Sequence, residues 1–408
     1  MSLSNTPTSE RIHIGFFGLR NSGKSSLVNR ITNQDMSIVS DIKGTTTDSV
    51  KKSMELLPIG PVIIIDTPGI DDKGLLGDKR VENAEKILRN CDIGVLVTVV
   101  GNTLNDDEKE LIKSFKERNI PYVIVRNKID LIDESKINED KKELVDFIND
   151  LVYVSTINEE GIEELKTLIG KKYIEYKEVN KEKENNFVGD LIKRNDLVVL
   201  VTPIDKAAPK GRLILPQQLA IRDIIDFGGI VVVTKETELK KTLNSLAKKP
   251  DLVITDSQVF KFVEDTIDKD IPLTSFSILM ARYKGFLETA VKGIRTLEEL
   301  KEKKKANILI SEGCTHHRQC DDIGTVKIPN MLKKYLGFEP NLSFTSGNEF
   351  PKDIEEYDLI IHCGGCMLNQ NEMKYRMEYS KSKNIPFTNY GICLAYMQGI
   401  LDRTIDML

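Results

Sequence analysis

The sequence predicts an α/β protein with parallel-type sheets, divided into three domains. The chain has 408 residues and is therefore longer than a domain with a single hydrophobic core usually is. Short apolar, strand-like runs alternate with polar, helix-like segments through most of the chain, which is typical of parallel strands joined by helices. Two charge-rich stretches, KEVNKEKENN and EELKEKKKAN, interrupt this alternation and indicate boundaries. We therefore expect domains at residues 1–175, 186–300 and 306–408.

The alternation can be followed through each domain. In the first, the strand-like runs are IHIGFFG, VIIIDTPG, IGVLVTVV and YVIVRNK, with helix-like stretches such as DDEKELIKSFKERN between them. In the second, LVVLVTPID, GGIVVVTKE and PDLVITDSQ predict strands, and PQQLAIRDIIDF and ELKKTLNSLAKK predict helices. The third begins near Ala306, just before the strand-like ILIS. We expect the second domain to be a smaller α/β domain than the first.

Composition excludes several classes of protein. No apolar run approaches the roughly 18 residues that a membrane span needs. The first residues are polar and lack the basic start and apolar stretch of a signal peptide, so we expect a cytoplasmic protein with no membrane association. A net charge of -5 without a basic block provides no electrostatic attraction for nucleic acid, so we expect no nucleic-acid partner.

The stretch GLRNSGKSS fits the spacing of a phosphate-binding loop, G-x-x-x-x-G-K-S, and lies between a predicted strand and a predicted helix. In such a loop, backbone N–H groups and the helix N-terminus surround the phosphates, the lysine reaches the β- and γ-phosphates, and the first serine after it binds Mg²⁺. The residues that we assign to this loop are Gly18, Asn21, Ser22, Gly23, Lys24, Ser25 and Ser26.

Two further motifs complete the expected phosphate site. VIIIDTPG ends a predicted buried strand with Asp66, placed to hold the Mg²⁺ shell, and with Gly69, whose amide can contact the γ-phosphate. GTTTD supplies Thr46 as a second candidate Mg²⁺ ligand on a switch segment. We expect Lys24, Thr46, Asp66 and Gly69 to act in phosphate chemistry.

The motif RNKID predicts which base is bound. Asn127, Lys128 and Asp130 follow a predicted strand, and a carboxylate at Asp130 can accept hydrogen bonds from both N1–H and N2–H of guanine. Adenine offers no such pair of donors, so we expect the ligand to be GTP. Ser155 and Thr156, in VSTINEEG, are candidates for the loop beneath the base.

The segment Gly18 to Asp130 resembles the translation-factor-related GTPases that act in tRNA modification and ribosome assembly. In that class, the loop asparagine that corresponds to Asn21 helps to bind K⁺ beside the phosphates. Ile70 occupies the position of the water-orienting glutamine of Ras-like enzymes. The resemblance therefore implies a slow, Mg²⁺-dependent GTPase that is stimulated by K⁺.

The third domain concentrates soft metal ligands in two patches. Of six cysteines and four histidines, four cysteines and three histidines lie in SEGCTHHRQC and IIHCGGC. If the patches meet, Cys314, Cys363 and Cys366 bring three thiolates together, with His316 and His362 beside them. Residue types alone leave a structural zinc site and an iron-sulfur cluster equally matched. Cys320 lies outside the matched pattern, and the apolar surroundings of Cys91 and Cys393 favour core packing.

The arrangement C-x-H, a gap of 45 residues, and H-C-x-x-C resembles that of the FeFe-hydrogenase maturation GTPases, the HydF family. The resemblance covers the whole chain and implies a 4Fe-4S cluster bound by Cys314, Cys363 and Cys366. One iron would keep an exchangeable ligand, for which His316, His362, Asp321 and Asp322 are candidates.

The same resemblance implies that the middle domain forms a homodimer. It also implies that the protein receives a di-iron precursor and delivers it to the FeFe-hydrogenase apoprotein, with the radical-SAM maturases of the same pathway as further partners. The alternative is a GTPase of the tRNA-modification or ribosome-assembly type whose third domain contains only structural zinc.

Overall fold

The structure is a computed structural model that describes residues 6–33, 50–69, 84–180, 186–203, 213–314, 322–347 and 349–408. The chain divides into two compact units, Met1–Glu182 and Lys183–Leu408. Both are mixed α/β structures with predominantly parallel sheets, which confirms the fold class predicted from the alternation of strands and helices. None of the helices in these ranges is both long enough and apolar enough to cross a bilayer.

The first unit contains a six-stranded sheet in the order β2-β3-β1-β4-β5-β6. All pairs are parallel except β2 with β3. The strands are β1 (Ile12–Phe17), β2 (Val50–Leu56), β3 (Gly60–Asp66), β4 (Ile93–Val99), β5 (Tyr122–Asn127) and β6 (Leu151–Val154). The helices are α1 (Lys24–Thr32), α2 (Asp106–Glu117), α3 (Glu134–Glu143) and α4 (Ile162–Asn180), and residues 84–90 are also helical.

Apolar side chains cover both faces of this sheet. One core cluster joins β1, β3 and β4 to α1 and α4, and a second, on the other face, includes Phe17, Ile112 and Phe115. Burial on both faces explains why the central strands are continuous apolar runs rather than alternating ones. The parallel order places the carboxyl ends of β1, β3, β4 and β5 at the same edge of the sheet.

The second unit contains two four-stranded, wholly parallel sheets, in the orders β10-β9-β7-β8 and β12-β11-β13-β14. The strands are β7 (Leu197–Val201), β8 (Ile230–Thr234), β9 (Leu252–Thr255), β10 (Leu273–Ser275), β11 (Asn307–Ser311), β12 (Asn341–Thr345), β13 (Leu359–His362) and β14 (Phe387–Asn389).

The helices of this unit follow the strands in order. They are α5 (Leu215–Asp226), α6 (Leu239–Ser245), α7 (Phe260–Thr266), α8 (Phe276–Tyr283), α9 (Leu287–Ile294), α10 (Thr296–Lys303), α11 (Ile328–Leu336), α12 (Gln370–Ser382), α13 (Tyr390–Met397) and α14 (Leu401–Ile405). A π-helical turn, Ile323–Lys327, precedes α11 directly.

The two sheets of the second unit are built to one plan. In both, the first strand pairs with the second on one side and with the third on the other, and the fourth strand lies outside the third. An aspartate just before the third strand accepts the backbone N–H of the first strand in each case: Asp251 from Leu197, and Asp358 from Asn307. The described residues therefore contain an internal repeat of four strands.

The ends of the two repeats correspond as well. Ser275 and Asn389 end the fourth strands, and each caps the following helix by accepting an N–H three residues later. In each repeat, the helix that follows the capped helix packs on the other repeat: α9 lies on β14, and α14 lies on β10. One apolar core runs through both sheets, from Val199 and Leu273 to Ile308 and Ile360. This exchange of helices joins the two sheets into one compact unit.

Candidate nucleotide and metal sites

The predicted phosphate-binding loop connects β1 to the N-terminus of α1. Gly18 and Gly23 have φ values of 147° and 92°, a region that side chains rarely adopt. A Cβ atom on Gly18 would lie 2.2 Å from Val97 O, and one on Gly23 would lie 2.2 Å from Asn127 Nδ2. Asn21 also has a positive φ, of 58°. Glycine is therefore required at both ends of the loop, because the neighbouring strands approach its backbone closely.

Lys24 and Ser25, the predicted phosphate and Mg²⁺ residues, begin α1. Lys24 is buried, and its Nζ donates to the loop carbonyls of Gly18 at 3.0 Å and Leu19 at 2.7 Å. Ser25 Oγ donates to Asp66 Oδ2 at 2.5 Å, which brings the two predicted Mg²⁺-site residues into direct contact. Burial raises the pKa of Asp66, and the hydrogen bond from Ser25 and the charge of Lys24 oppose that rise.

Three buried polar atoms around this loop have no hydrogen-bond partner among the described residues. They are Ser22 Oγ, Asp66 Oδ1 and Asn127 Oδ1. Buried polar atoms are nearly always satisfied, so such a group of them indicates a ligand or ion. The donors and acceptors present, an ammonium, two hydroxyls and a carboxylate, suit a nucleotide phosphate with Mg²⁺.

The predicted base-recognition residues make hydrogen bonds to the phosphate loop, to the loop after β6 and to α1. Asn127, at the end of β5, donates from Nδ2 to Ser22 O at 2.9 Å and so connects the base motif to the phosphate loop. Ser155 Oγ donates to Asp130 Oδ1 at 2.6 Å and accepts the N–H of Asn158 at 3.1 Å. Thr156 O accepts from Arg30 on α1. The hydrogen bond from Ser155 fixes the orientation of the carboxylate of Asp130, the predicted contact for guanine.

The remaining predicted residues of this site differ in how far the structure describes them. Ser26 is exposed on the first turn of α1, and Lys128 is half-buried with a φ of 67°. Gly69 is described, three residues beyond the end of β3. Thr46 and Ile70 lie outside the described residues.

Motif analysis missed a buried ion pair behind the base motif. Arg126 is 1% exposed, and its guanidinium binds both oxygens of Asp140, with Nε 2.9 Å from Oδ2. Arg126 also donates to Thr98 Oγ1 at 3.0 Å and to Asn102 O at 2.8 Å. Tyr153 donates to Asp140 at 2.8 Å. The network joins the ends of β4, β5 and β6 immediately beside Asn127.

In the second unit, the two cysteine patches lie at one edge of the last sheet. Cys314 follows β11 and Cys363 follows β13, and these strands are parallel neighbours with Ser311 paired to His362. The strand order reverses here, because β12 lies on one side of β11 and β13 on the other. Ligands of open parallel sheets bind at the carboxyl ends of the strands at such a point. Residues 311–314, the described part of the first patch, therefore lie beside the second patch.

Backbone groups surround the Cys363 sulfur. Gly313 N–H and Gly365 N–H point to Cys363 Sγ at 3.0 and 3.3 Å, one from each patch. Burial, and after it the nearby Cys366, raise the pKa of the Cys363 thiol to about 12. Iron-bound thiolates receive such N–H bonds, and metal binding supplies the free energy that deprotonation of a buried thiol needs.

His362 occupies the sheet rather than the cysteine site. Its ring is fully buried, with Nδ1 2.8 Å from Cys363 O and Nε2 3.0 Å from Arg376 Nη1. Because a guanidinium can only donate, Nε2 is the acceptor and Nδ1 carries the proton. Burial and then the Arg376 charge lower the pKa of His362 to about 3. Both ring nitrogens are engaged, so in this arrangement the candidate His362 offers none to a metal.

An acidic side chain and a tyrosine lie beside the cysteines. Glu312 is buried, and its Oε1 accepts from Tyr390 at 3.1 Å. The π-helical turn packs against both, since a Cβ on Gly324 would lie 2.2 Å from Tyr390 Oη and 2.4 Å from Glu312 Oε1. Asp322 caps this turn by accepting the N–H of Thr325. Sequence reasoning did not single out Glu312, which lies two residues before Cys314.

The fit to a metal group rests on residue chemistry and position. Among the described residues, no three histidine, cysteine or acidic side chains lie close enough together to hold one metal ion. A 4Fe-4S cluster takes one thiolate on each iron, so its ligands need not converge on a single ion. His316, Cys320 and Asp321 lie outside the described residues. Cys91 and Cys393 are buried in apolar cores, as their surroundings predicted.

Comparison with known families accounts for all three parts of the chain. Residues 13–128 match a family model described as 50S ribosome-binding GTPase. Residues 187–285 match the hydrogen maturase F dimerization domain, and residues 288–407 match the hydrogen maturase F tetramerization domain. The last two models are specific to one family and together match more than half of the chain. The chain belongs to the hydrogen maturase F family.

Two curated relatives match somewhat more than two fifths of this hydrogen maturase F chain. GTPase Der from Campylobacter hominis is 38% identical over 173 residues, 42% of this chain and 36% of the relative. The tRNA modification GTPase MnmE from Streptococcus gordonii is 30% identical over 167 residues, 41% of this chain and 34% of the relative. The chain thus spans about a third of the length of these relatives. The match supports a GTPase domain that binds GTP and Mg²⁺.

Two solved structures resemble this hydrogen maturase F chain over part of its length. Aquifex aeolicus Era shares 20% sequence identity at a TM-score of 0.34, covering 55% of this chain and 91% of Era. The G domain of the Thermotoga maritima FeoB iron transporter shares 22% identity at a TM-score of 0.31, covering 41% of this chain and 99% of that domain.

Proposed function

We propose that this hydrogen maturase F chain hydrolyses GTP and carries a 4Fe-4S cluster on which a di-iron precursor is assembled and delivered to FeFe-hydrogenase. The observation that carries the proposal is the position of Cys314 and Cys363, at the ends of neighbouring strands in the last sheet of a chain with a GTPase domain. Cys366 follows in the same turn and completes a set of three thiols.

The first unit would bind GTP and position it for hydrolysis. Backbone N–H groups of the loop and of the first turn of α1 receive the phosphates, and Lys24 moves its ammonium from the loop carbonyls to the β- and γ-phosphates. Ser25 and Asp66 exchange their mutual hydrogen bond for places around Mg²⁺, which neutralises phosphate charge. Asp130, oriented by Ser155, reads guanine.

Asn21 is the basis for proposing K⁺ as an additional cation. Its positive φ places it at the turn of the phosphate loop, and the related GTPase class binds K⁺ through this residue. A cation there adds positive charge beside the γ-phosphate, where negative charge develops during hydrolysis. Thr46 is proposed as a second Mg²⁺ ligand, and Gly69 as a backbone contact to the γ-phosphate.

In the second unit, Cys314, Cys363 and Cys366 would each bind one iron of the cluster. When bound, the cluster would supply a fourth iron whose ligand can be exchanged for an incoming iron compound. The N–H groups of Gly313 and Gly365 stabilise thiolate charge at Cys363. His316, Asp321 and Asp322 remain candidates for a weak ligand near the fourth iron.

We further propose that the chain acts in the cytoplasm as three domains, 1–175, 186–300 and 306–408. The dimerization-domain match supports a homodimer through the middle domain. The hydrogenase apoprotein and the radical-SAM maturases are the proposed partners, in keeping with the family.

Metal analysis of anaerobically purified full-length protein, with matched variants, tests both parts of the proposal. Wild type is expected to contain about four irons per chain and to hydrolyse GTP. Lys24→Ala should retain iron and lose GTP turnover, whereas Cys363→Ala should lose iron and retain turnover. Stoichiometric zinc without iron would instead support the alternative, a tRNA-modification or ribosome-assembly type GTPase with a structural zinc domain.

A further inference from the structure

A fully buried arginine lies beneath the cysteine site and has no place in the function described so far. Arg376, on α12, is 0% exposed and uses each of its nitrogens. Nε donates to Glu372 Oε1 at 2.8 Å, Nη1 to His362 Nε2 at 3.0 Å and Nη2 to Gly347 O at 2.9 Å. A buried guanidinium is costly unless it is satisfied in this way. The presence of a buried arginine at this position therefore needs a physical explanation.

The contacts of Arg376 reach the ends of three strands. Gly347 follows β12, His362 ends β13, and Ser311 Oγ at the end of β11 lies 3.5 Å from Nη1. From His362 the contacts continue to the cysteine site, because Nδ1–H donates to Cys363 O at 2.8 Å. Arg376 therefore fixes both the tautomer of His362 and the carbonyl of a candidate iron ligand.

The internal repeat provides a comparison within the same chain. Strand register places Thr255 at the position of His362, and so Asp256 at the position of Cys363. The corresponding helix, α7, contains no arginine. The described part of the first repeat thus forms the four-strand scaffold without a buried guanidinium on this helix. Within the residues that the structure describes, a buried arginine at this place occurs only in the repeat that contains the cysteines.

Charge is the second property that Arg376 brings to the site. An iron-sulfur cluster becomes more negative on one-electron reduction, and buried positive charge near it favours the reduced state. Arg376 is paired with Glu372, so each member of the pair acts on the cluster with opposite sign. Removal of one member leaves the other uncompensated in the buried interior.

We propose that Arg376 is a positioning residue of the cysteine site, which holds Cys363 through His362 and favours the reduced state of a bound cluster. The inference rests on the proposed cluster-binding function. It assigns to His362 a role as the connection between Arg376 and Cys363.

The test measures the reduction potential of the cluster in full-length protein purified anaerobically, by titration with dithionite under electron paramagnetic resonance. Arg376→Gln should lower the potential, and Glu372→Gln should raise it. A unit charge at about 10 Å, in an effective dielectric constant of about 20, changes an equilibrium roughly tenfold. We therefore expect the ratio of reduced to oxidised cluster at a fixed potential to change about tenfold in each variant, in opposite directions.

The opposite signs separate electrostatic positioning from a structural role. Both substitutions break the same ion pair, so loss of structure alone would move the two potentials in the same direction. Arg403→Gln is the matched control, because Arg403 pairs with Glu264 and binds Asp268 O at the other repeat. It should leave the potential unchanged.

A second measurement needs no iron. In iron-free protein, the alkylation rate of Cys363, followed by peptide mass spectrometry, should rise severalfold in Arg376→Gln and not in Arg403→Gln. An unchanged alkylation rate in Arg376→Gln would overturn the proposed role of Arg376. The same holds if the reduction potentials of Arg376→Gln and Glu372→Gln are equal or shift in the same direction. Wild-type protein that binds no iron-sulfur cluster would overturn the proposed function, and this role with it.

Discussion

Replacement of Asp140 by asparagine should lower the free energy of unfolding of the GTPase unit more than any single substitution among the predicted nucleotide-binding residues. The substitution keeps the shape of the side chain and removes its charge, which leaves Arg126 as an unpaired cation that is 1% exposed. Removing one partner of a buried ion pair costs about 3–5 kcal/mol. For a unit of this size, that corresponds to a Tm lower by roughly 6–20 °C, at about 2–4 °C per kcal/mol.

The effect of pH on this pair follows from the pKa of Asp140. Burial raises that pKa, but the hydrogen bonds from Arg126 and Tyr153 outweigh burial and hold it below the usual value. A carboxyl group with a lowered pKa stabilises the folded state above its unfolded pKa, about 3.9, and loses that contribution as pH falls through the folded value. The difference between wild type and Asp140→Asn should therefore be full at neutral pH and shrink below about pH 4.

Differential scanning calorimetry of the full-length chain, with and without GDP, measures the transition of the first unit. GDP identifies that transition because ligand binding raises its Tm. The double variant Arg126→Met/Asp140→Leu is the matched control, since apolar replacement of both partners is commonly neutral or stabilising. A loss below about 1 kcal/mol in Asp140→Asn would refute the argument, because it would show that Arg126 is not held as a buried charge.

Two further predictions concern the nucleotide. Ser155→Ala removes the hydrogen bond to Asp130, and GTP affinity should fall roughly 2- to 10-fold in equilibrium dialysis, since a single hydrogen bond contributes about 0.5–1.5 kcal/mol. An unaltered affinity would show that Asp130 needs no support from Ser155. K⁺ should raise GTP turnover well above Na⁺ in a phosphate-release assay, and Asn21→Ala should remove the difference; equal rates in both salts with wild type would contradict the role of Asn21.

Sequence motifs could predict residues for the phosphate and base sites because the chemistry of these sites is local. The loop from Gly18 to Ser25 needs only a strand before it and a helix after it, and both could be read from periodicity. The contacts between Ser25 and Asp66, and between Ser22 and Asn127, follow from the order of the parallel strands. The motifs identify these residues, whereas the distances between their atoms can be obtained only from the structure.

The same reasoning was less informative about His362 and the buried arginines. Proximity in sequence suggested that His362 stands with Cys363, whereas successive residues of a strand point to opposite faces of the sheet. The histidine is the last residue of β13 and meets Arg376 in the interior. Arg126 depends on Asp140 and Arg376 on His362, each 14 residues away, and charged residues carry no sequence signal of burial.

A signal for the internal repeat was present in the sequence. PLTSFSILMARYKGFL at residues 272–287 and PFTNYGICLAYMQGIL at residues 386–401 share proline, threonine, isoleucine, alanine, glycine and leucine at equal spacing. The structure gives the shared positions a physical reason. Both segments contain the fourth strand, a helix cap, and a glycine with positive φ, Gly285 or Gly399, after the helix.

The repeat predicts which substitutions of Asn389 the protein tolerates. Asn389 Oδ1 accepts Ile392 N–H at 2.9 Å to cap α13, and Nδ2 donates to Ser277 O at 2.8 Å. Ser275, its counterpart, caps α8 with a hydroxyl, so a serine at position 389 can make the same cap on the same scaffold.

Asn389→Ser should therefore lose only the bond to Ser277, whereas Asn389→Ala loses both. Because a helix cap contributes about 0.5–2 kcal/mol, the alanine variant should be less stable than the serine variant by about that amount. Calorimetry of the second unit in the full-length chain measures the difference, and Ser275→Ala should show a cap loss of similar size. If the serine and alanine variants of Asn389 proved equally stable, the cap at β14 would contribute nothing, and the two ends of the repeat would be alike in geometry but not in energy.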